Sequence, residues 1–318
     1  MPAVSVIIPN YNHASFLTER IESVLSQQFD DFEIILLDDA SADNSMAVLE
    51  QYRNHPKVSQ LIINKINSGS PFSQWKKGIS LAAGKWIWIA ESDDKADPMF
   101  LETALSRLDQ QPGASLFYCD AWNTRTDNQP ASFTRYAEAR KKIFESILWD
   151  MDYEESGIAE INLNLKWACS INNISSVVFK KRILDEELTD TELFRFHGDW
   201  YYLLRVCSRG DILYSSATLN HFRMKPDSVQ QGDDMLRSKT EYFRILNWLW
   251  QQPFVSDKNK LLDFFILQYT GYGFIKEGIS HGRQLMKKYR EINAELARLM
   301  YRRMIRLKFT GKKRKPLF

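Results

Sequence analysis

Three carboxylates, Glu91, Asp93 and Asp94, stand directly after the apolar run Trp86-Ile87-Trp88-Ile89-Ala90. A short β-branched and aromatic run that stops at a polar cluster has the pattern of a buried strand. Its carboxyl end then presents several hard oxygen donors at one point. Such donors suit Mg²⁺ or Mn²⁺, which commonly shares one or two carboxylates with substrate phosphates. The plainer interpretation is a solvated acidic turn leading into a helix at Asp97-Pro98. Neighbouring segments have to decide between the two.

Two other apolar runs end in the same manner. Residues 4–8 stop at Pro9-Asn10-Tyr11-Asn12, and residues 33–37 stop at Asp38-Asp39-Ala40-Ser41. Helical spacing of Leu17, Ile21, Val24 and Leu25 predicts a helix over 15–27. Asp43-Asn44-Ser45 supplies cap residues for a second helix, residues 60–63 read as a strand, and 72–83 as a helix closed by Gly84. Strand and helix thus alternate four times within 95 residues, the pattern of a parallel, doubly wound sheet. All three polar strand ends then share one edge, where open α/β sheets bind ligands. A nucleotide needs an aromatic or apolar wall, a carboxylate for base or ribose, and a means of neutralising its phosphates. The chain has neither a dinucleotide glycine fingerprint nor a Walker-type phosphate loop, so a carboxylate-held cation is the candidate for that task.

The whole chain sets the bounds. It has 318 residues, 26% charged and 44% hydrophobic, as expected of a globular protein with a full core. A net charge of +2 gives no support to nucleic-acid binding. Cys119, Cys169 and Cys207 are scattered, which argues against structural zinc and fits a reducing compartment. No signal-peptide pattern or spanning apolar stretch is visible, so a cytoplasmic protein is expected. Farther along, residues 98–111 predict a helix, 115–119 a strand, 123–140 a polar loop, 141–150 a helix and 176–179 a strand. Residues 157–175 show no assignable period. Helices are expected over 188–196 and 200–206, and a strand over 211–214. After Ser228 come three helices, 235–251, 257–279 and 283–307.

The segments Val4-Ser-Val-Ile-Ile-Pro-Asn-Tyr-Asn12, Ser23-Val-Leu-Ser-Gln27, Phe32 to Ser45 with its Asp38-Asp39 pair, Gly78-Ile-Ser-Leu-Ala-Ala-Gly84 and Glu91-Ser-Asp-Asp94 resemble, in order and spacing, the inverting family 2 glycosyltransferases of the GT-A fold. The resemblance covers about the first 120 residues. It implies an α/β GT-A architecture: a Rossmann-like, mostly parallel sheet flanked by helices, with a C-terminal helical appendage. The expected division is a catalytic domain over 1–230, with a nucleotide-sugar half (1–120) and an acceptor half (121–230), and a helical region with a basic tail over 231–318.

The resemblance also implies roles. Asp39 corresponds to the residue that hydrogen-bonds the nucleotide base, and Pro9 with Asn10, Tyr11 and Asn12 to the loop beside base and ribose. Asp94 is the expected direct ligand of Mn²⁺ or Mg²⁺, and Asp93 its partner on metal, ribose or sugar. Glu91 stands where many relatives have Asp. Lys77 stands near the place of an Arg found in relatives, where it supplies a point charge without a bidentate fork; a solvated helix lysine is the plainer reading. His197-Gly198-Asp199-Trp200 matches the helix-start acid of the family, which makes Asp199 the expected general base; an N-cap aspartate is the alternative. The segment 220–229 resembles one that closes over the diphosphate, with Arg223 or Lys225 supplying charge. Residues 172–179 resemble the acceptor-side strand, and Trp122 and Trp167 are candidates to stack on a sugar, although core packing is the default for a Trp.

These expectations combine into a metal-dependent transfer of one sugar, UDP- or dTDP-linked, to a saccharide or lipid-linked saccharide hydroxyl, in the setting of bacterial surface polysaccharide or lipopolysaccharide assembly. The rivals are a nucleotide-sugar-binding scaffold without turnover and a same-fold nucleotidyltransferase. The end of the chain is basic, with Arg302, Arg303, Arg306, Lys308 and the run Lys312-Lys313-Arg314-Lys315. Either this helix packs on the catalytic domain with a solvated face, or it serves as a peripheral anchor on anionic lipid at the inner face of the membrane.

Overall fold

The computed structural model describes residues 1–125, 135–171, 173–224, 233–270 and 279–309. Among these, the backbone is organised on one nine-stranded mixed sheet. Strands β1 (Val4–Asn10), β2 (Phe32–Asp38), β3 (Val58–Ile63) and β4 (Trp86–Ile89) are parallel, in the order β3-β2-β1-β4. The two-residue β5 (Lys95–Ala96) and the long β6 (Ala114–Arg125) follow, then β7 (Tyr153–Ser156), β8 (Val177–Lys180) and β9 (Asp211–Met224). β8 lies antiparallel between β4 and β6, and so joins the two halves of the sheet. β9 runs parallel to β6 and pairs with β7 at its start and β5 near its end.

The inner strands of the sheet are covered on both sides, so β1, β2 and β4 are nearly continuous apolar runs, whereas β3 at the edge keeps Ser59 and Gln60 exposed. Side chains alternate between two cores with the strand period of two. Val4, Val6, Ile8, Ile34, Leu36, Trp86 and Trp88 face one core; Ile7, Ile35, Leu37, Ile87 and Ile89 face the other. The first core is closed by α1 (Ala14–Leu25), α2 (Ser45–Tyr52) and α4 (Phe100–Leu108). The second receives α3 (Pro71–Leu81), α5 (Tyr136–Phe144), α7 (Lys181–Glu187) and α8 (Gly198–Cys207). α3 approaches β1 closely: a Cβ on Gly78 would lie 2.4 Å from Ile7 Cγ2. The short α6 (Gly157–Glu160) continues into a π-turn over Ile161–Leu165.

The C-terminal helices are α9 (Asp233–Gln251), α10 (Lys258–Phe265), α11 (Ile279–Ile292) and α12 (Ala294–Phe309). Their apolar faces, through Phe243, Leu246, Leu262, Phe265, Tyr289 and Met300, belong to the same core as Ile7 and Ile89 of the sheet. Trp200 of α8 stacks on Phe265 of α10, 5.8 Å between ring centres. The helical region is therefore continuous with the second core.

Some expected elements take another form. The run 188–196 holds only a 3-10 turn at Thr191–Leu193, because Asp190 adopts a left-handed φ of 56°. The helix expected over 283–307 is two helices, since Asn293 caps α12 by accepting Leu296 N–H at 3.0 Å. α5 starts earlier than expected and stops at Glu145, φ 51°. Within 257–279, α10 gives way to a π-turn at Ile266–Thr270. Asn172, Lys225, Ser228 and Lys312–Lys315 lie outside the described residues.

Candidate functional site

Parallel register brings the polar strand ends to one edge: Asn10 pairs with Asp38 on β2, and Ala90 N–H donates to Ile7 O just past β4. Pro9 is buried within β1 opposite Leu37. Asn10, also buried, donates from Nδ2 to Asp38 Oδ2 (2.8 Å) and Ser41 Oγ (3.2 Å). Asn12 adopts a left-handed φ of 55° and accepts Ala42 N–H at 2.8 Å. These bonds pin the β1 and β2 turns together and leave Tyr11, 48% exposed, on the rim.

Asp39 is buried in a cradle of neutral donors: Asn64 Nδ2 (2.7 Å), Ser68 N and Oγ (2.9 and 2.8 Å) and Gln74 Nε2 (2.8 Å). Lys77 Nζ donates to Asn64 Oδ1 at 2.5 Å, so this lysine supports the Asp39 cradle from behind.

The acidic loop after β4 is built differently. Glu91 accepts Trp75 Nε1 at 2.9 Å, and its backbone carbonyl accepts Arg20 Nε at 2.8 Å. Asp94 Oδ1 accepts Arg223 N–H at 2.9 Å, and Oδ2 lies 4.0 Å from Arg20 Nη2. Arg20 is fully buried on α1, over the Trp88 ring, and both terminal nitrogens lack hydrogen-bond partners among the described residues. Burial lowers its guanidinium to about 10 despite the nearby acids. Arg223 crosses the loop, donating to Asp93 O at 2.6 Å and pairing with Glu19, itself bound to Lys95. Asp93 is the more open acid, with a side chain 15% exposed against 3% for Asp94, and its Oδ2 lies 3.8 Å from His13 Nε2.

Burial raises Glu91 to about 8, with the Asp93 charge adding to it. Burial also raises Asp94 to about 6; Arg20 opposes the rise and Asp93 reinforces it. Burial and mutual crowding thus make full ionisation of the loop costly, and a bound divalent cation would lower that cost. Among the described residues no group of three ligating side chains converges on one point. One or two carboxylates remain on offer, the set suited to Mg²⁺ or Mn²⁺ shared with a diphosphate, and on that count the donor set fits.

Asp199 stands in the first turn of α8, on the second-core side of the sheet. Its Oδ1 accepts Trp200 N–H at 2.8 Å. Burial raises its carboxyl to about 6, and the Glu241 charge adds to the rise. A carboxylate with that affinity for a proton is suited to general-base work near neutral pH. A Cβ on Gly198 would lie 2.5 Å from the Phe72 ring of α3, and Phe72 packs edge-on against Trp75, the donor to Glu91. One aromatic pair therefore links the two acidic loops. Of the two expected stacking residues, Trp122 is 40% exposed, whereas Trp167 packs edge-on against Phe264.

The sequence matches the model of glycosyl transferase family 2 over residues 5–167. The chain belongs to glycosyl transferase family 2. Within that family it is 34% identical over 114 residues to the poly(ribitol-phosphate) beta-N-acetylglucosaminyltransferase TarS of Staphylococcus aureus, a stretch covering 35% of this chain and 19% of TarS. It is 32% identical over 108 residues to the glycosyltransferase GlyG of Streptococcus pneumoniae, covering 34% of this chain and 36% of GlyG. The aligned stretches thus span well under two thirds of these relatives. The crystal structure of S. aureus TarS 1–349 superposes with a TM-score of 0.67 at 15% identity, over 97% of this chain and 92% of that one. The mannosyltransferase PcManGT from Pyrobaculum calidifontis, in complex with GDP-Man and Mn²⁺, superposes with a TM-score of 0.54 at 14% identity, over 98% and 88%. These likenesses show that the fold is GT-A.

In this family 2 chain, two site residues escape motif reading, Arg20 and Glu241. Both are charges on the apolar stripe of a helix: Arg20 lies between Leu17 and Val24, and Glu241 precedes Ile245 by one turn. A charge on a buried stripe is costly unless compensated, and that is the signal that marks them.

Proposed function

We propose that the chain is a metal-dependent, inverting glycosyltransferase moving one sugar from a nucleotide diphosphate donor, UDP- or dTDP-linked, to a saccharide or lipid-linked saccharide hydroxyl. The observation that carries this reading is the pairing of a crowded acidic loop at one sheet edge with the proton-seeking Asp199 beyond the Phe72–Trp75 pair. Two features of similar proteins support a UDP-sugar: TarS is named as an N-acetylglucosaminyltransferase, and its 1–349 fragment has been crystallised with UDP-GlcNAc.

In the proposed mechanism Pro9 and Asn10–Asn12 border the base and ribose, and Asp39 hydrogen-bonds the base. Asp93 and Asp94 would hold Mn²⁺ or Mg²⁺, which would supply positive charge for the diphosphate leaving group. Arg223 adds positive charge at the same edge, and Lys77 contributes through the Asp39 cradle. Asp199 takes the proton from the acceptor hydroxyl. The acceptor oxygen bonds to the anomeric carbon as the bond to the diphosphate oxygen breaks, and the electron pair leaves with the diphosphate. Residues 1–120 form the donor half, 121–230 the acceptor half, and 231–318 the helical region.

A screen of nucleotide sugars by thermal shift, with and without Mn²⁺, tests the reading. Stabilisation by one UDP- or dTDP-sugar that requires Mn²⁺ and is lost in Asp94→Ala is expected. No stabilisation by any nucleotide sugar would remove the proposal. The outward side of α12 carries Arg298, Leu299, Tyr301, Arg302, Ile305 and Arg306, all exposed, which supports peripheral contact with an anionic membrane. Among the described residues no helix is long and apolar enough to cross a membrane. Co-sedimentation with anionic liposomes should fall when residues 302–318 are deleted; unchanged binding removes that contact.

A further inference from the structure

Glu241 lies on α9, outside the segments that resemble the family and outside both acidic loops. It is completely buried, yet three backbone N–H groups converge on it. Oε1 accepts from Arg195 at 2.8 Å; Oε2 accepts from Phe196 at 2.9 Å and His197 at 2.8 Å. Arg237, one turn earlier, places Nε 3.5 Å from Oε1. The grip extends to the next residue positions of the same helix. Ser238 Oγ is 2.7 Å from His197 Nε2, and the Tyr242 ring stacks on the imidazole, 3.9 Å between centres. Burial lowers the His197 ring to about 4, so it is neutral in this stack near pH 7.

The clamped residues immediately precede Gly198 and Asp199. On the other side, Phe72 of α3 leaves no room for a side chain at Gly198. The entry to α8 is therefore fixed from two directions, by α9 and by α3. We propose that Glu241 is a positioning residue for Asp199: it locks the 195–197 backbone so that the carboxylate keeps its place and orientation at the start of α8. The inference rests on Asp199 being the general base.

A carboxylate is required at this point. Both of its oxygens accept, whereas the amide of a Gln offers one acceptor and turns an NH₂ toward backbone donors. A buried anion also acts on Asp199 electrostatically. The groups that face Asp199 are Glu241 from α9, Tyr136 from α5 and Cys169 from the segment ahead of β8. Of these, the Glu241 charge favours the protonated Asp199, and its removal makes the base weaker.

The test uses the full chain and hydrolysis of UDP-GlcNAc with Mn²⁺, in which water replaces the acceptor. Glu241→Gln should lower kcat about tenfold to a hundredfold, leave KM for the donor within about twofold, and move the acid limb of the pH profile to lower pH. Wild-type kcat with an unmoved acid limb would overturn the proposal, and so would a loss of kcat that tracks global unfolding alone. Should Glu241→Gln fail to fold, Ser238→Ala loosens the same loop more gently. It should speed amide exchange at 195–197 and lower kcat about threefold; faster exchange with unchanged kcat overturns the proposal. If the wild-type chain does not turn over UDP-GlcNAc, NMR titration of the Asp199 carboxyl supplies the readout. A downward move in Glu241→Gln with faster exchange at 195–199 sustains the positioning, while no change in either refutes it.

Discussion

The acidic loop 91–94 and the start of α8 both hold carboxyls above their ordinary range, and burial is the largest cause in each. Their surroundings differ. In the loop, three acids crowd one another beside Arg20 and Arg223, and Asp94 is held by the Arg223 backbone. At α8, Asp199 faces a fully buried acid, Glu241, and is held by a backbone N–H of its own helix. Crowded acids, costly to ionise together, would be eased by a bound cation. A single acid opposite a fixed anion gains affinity for a proton. The same residue type is thus suited to the two proposed tasks by what stands next to it.

The change expected to break the comparison most completely is Asp199→Asn. Transfer should fall by about 10²–10⁴ while binding of the UDP-sugar, measured calorimetrically with Mn²⁺, is unchanged. Wild-type kcat/KM should rise with pH up to about 6 and level off above it, and this limb should vanish in the variant. Stability should move the other way. Asp199 binds its proton more tightly in the folded chain than at its ordinary 3.8, so the fold loses stability as pH rises from about 4 through 6. Asp199→Asn removes that loss, with a gain on the order of 1–2 kcal/mol at pH 7 and none at pH 4, read by denaturant titration. A variant no more stable than wild type at pH 7 would place Asp199 in an ordinary solvated environment.

Asp94→Ala should act on the other side of the comparison. It leaves the buried Arg20 guanidinium without its nearest carboxylate, at a cost of about 3–5 kcal/mol in stability. It should also abolish Mn²⁺-dependent donor binding. Replacing Arg20 by Met in the same background should recover much of the stability and none of the binding. If donor binding returned with stability, Asp94 would be a packing residue alone.

Much of this arrangement was legible in the sequence, because the N-terminal part of the sheet is written in short-range patterns. The β1, β2 and β4 runs end in polar clusters, and parallel register then puts Asn10, Asp38 and Ala90 on one edge. The Gly-Asp-Trp setting reads as a helix-start acid, and Asp199 does stand in the first turn of α8. What remained hidden depends on contacts distant in sequence. Arg20 meets Asp94 across 74 positions, and Glu241 reaches the 195–197 backbone from a helix that carries no family motif. Helix ends were missed where a single residue decides them, by a left-handed backbone at Asp190 and by a capping side chain at Asn293. Nor does a pattern of periods foretell that α9–α12 share the core of the sheet, since an apolar stripe states that a face is buried without naming its partner.

A smaller effect should follow from Gly198→Ala. Its new Cβ would stand 2.5 Å from the Phe72 ring, so α3 and α8 must part by about an ångström, at about 1–3 kcal/mol. The displacement falls on Asp199, and kcat should drop about tenfold with donor KM retained. Phe72→Leu should relieve the crowding and restore part of kcat. An equal loss of donor affinity would mean that the two loops move as one body.

Trp75 is where that last point can be resolved, and its smaller variant should have the smallest effect. Nε1 donates to Glu91 Oε1, while the ring of the same side chain packs against Phe72, 4.9 Å between ring centres and nearly perpendicular. Trp75→Phe keeps an aromatic ring against Phe72 and removes the donor, leaving the half-buried Glu91 carboxyl short of one partner. The cost should be about 1 kcal/mol in stability, with donor affinity in Mn²⁺ lowered no more than about threefold and kcat unchanged. Trp75→Leu removes the ring as well, so Phe72 loses its edge-on partner and gains room to shift toward α8. Here kcat should fall together with donor affinity. The difference between these two variants isolates the packing link from the hydrogen bond: if both leave kcat untouched, the acidic loop and the Asp199 loop are positioned independently, and the coupling between them through α3 is absent.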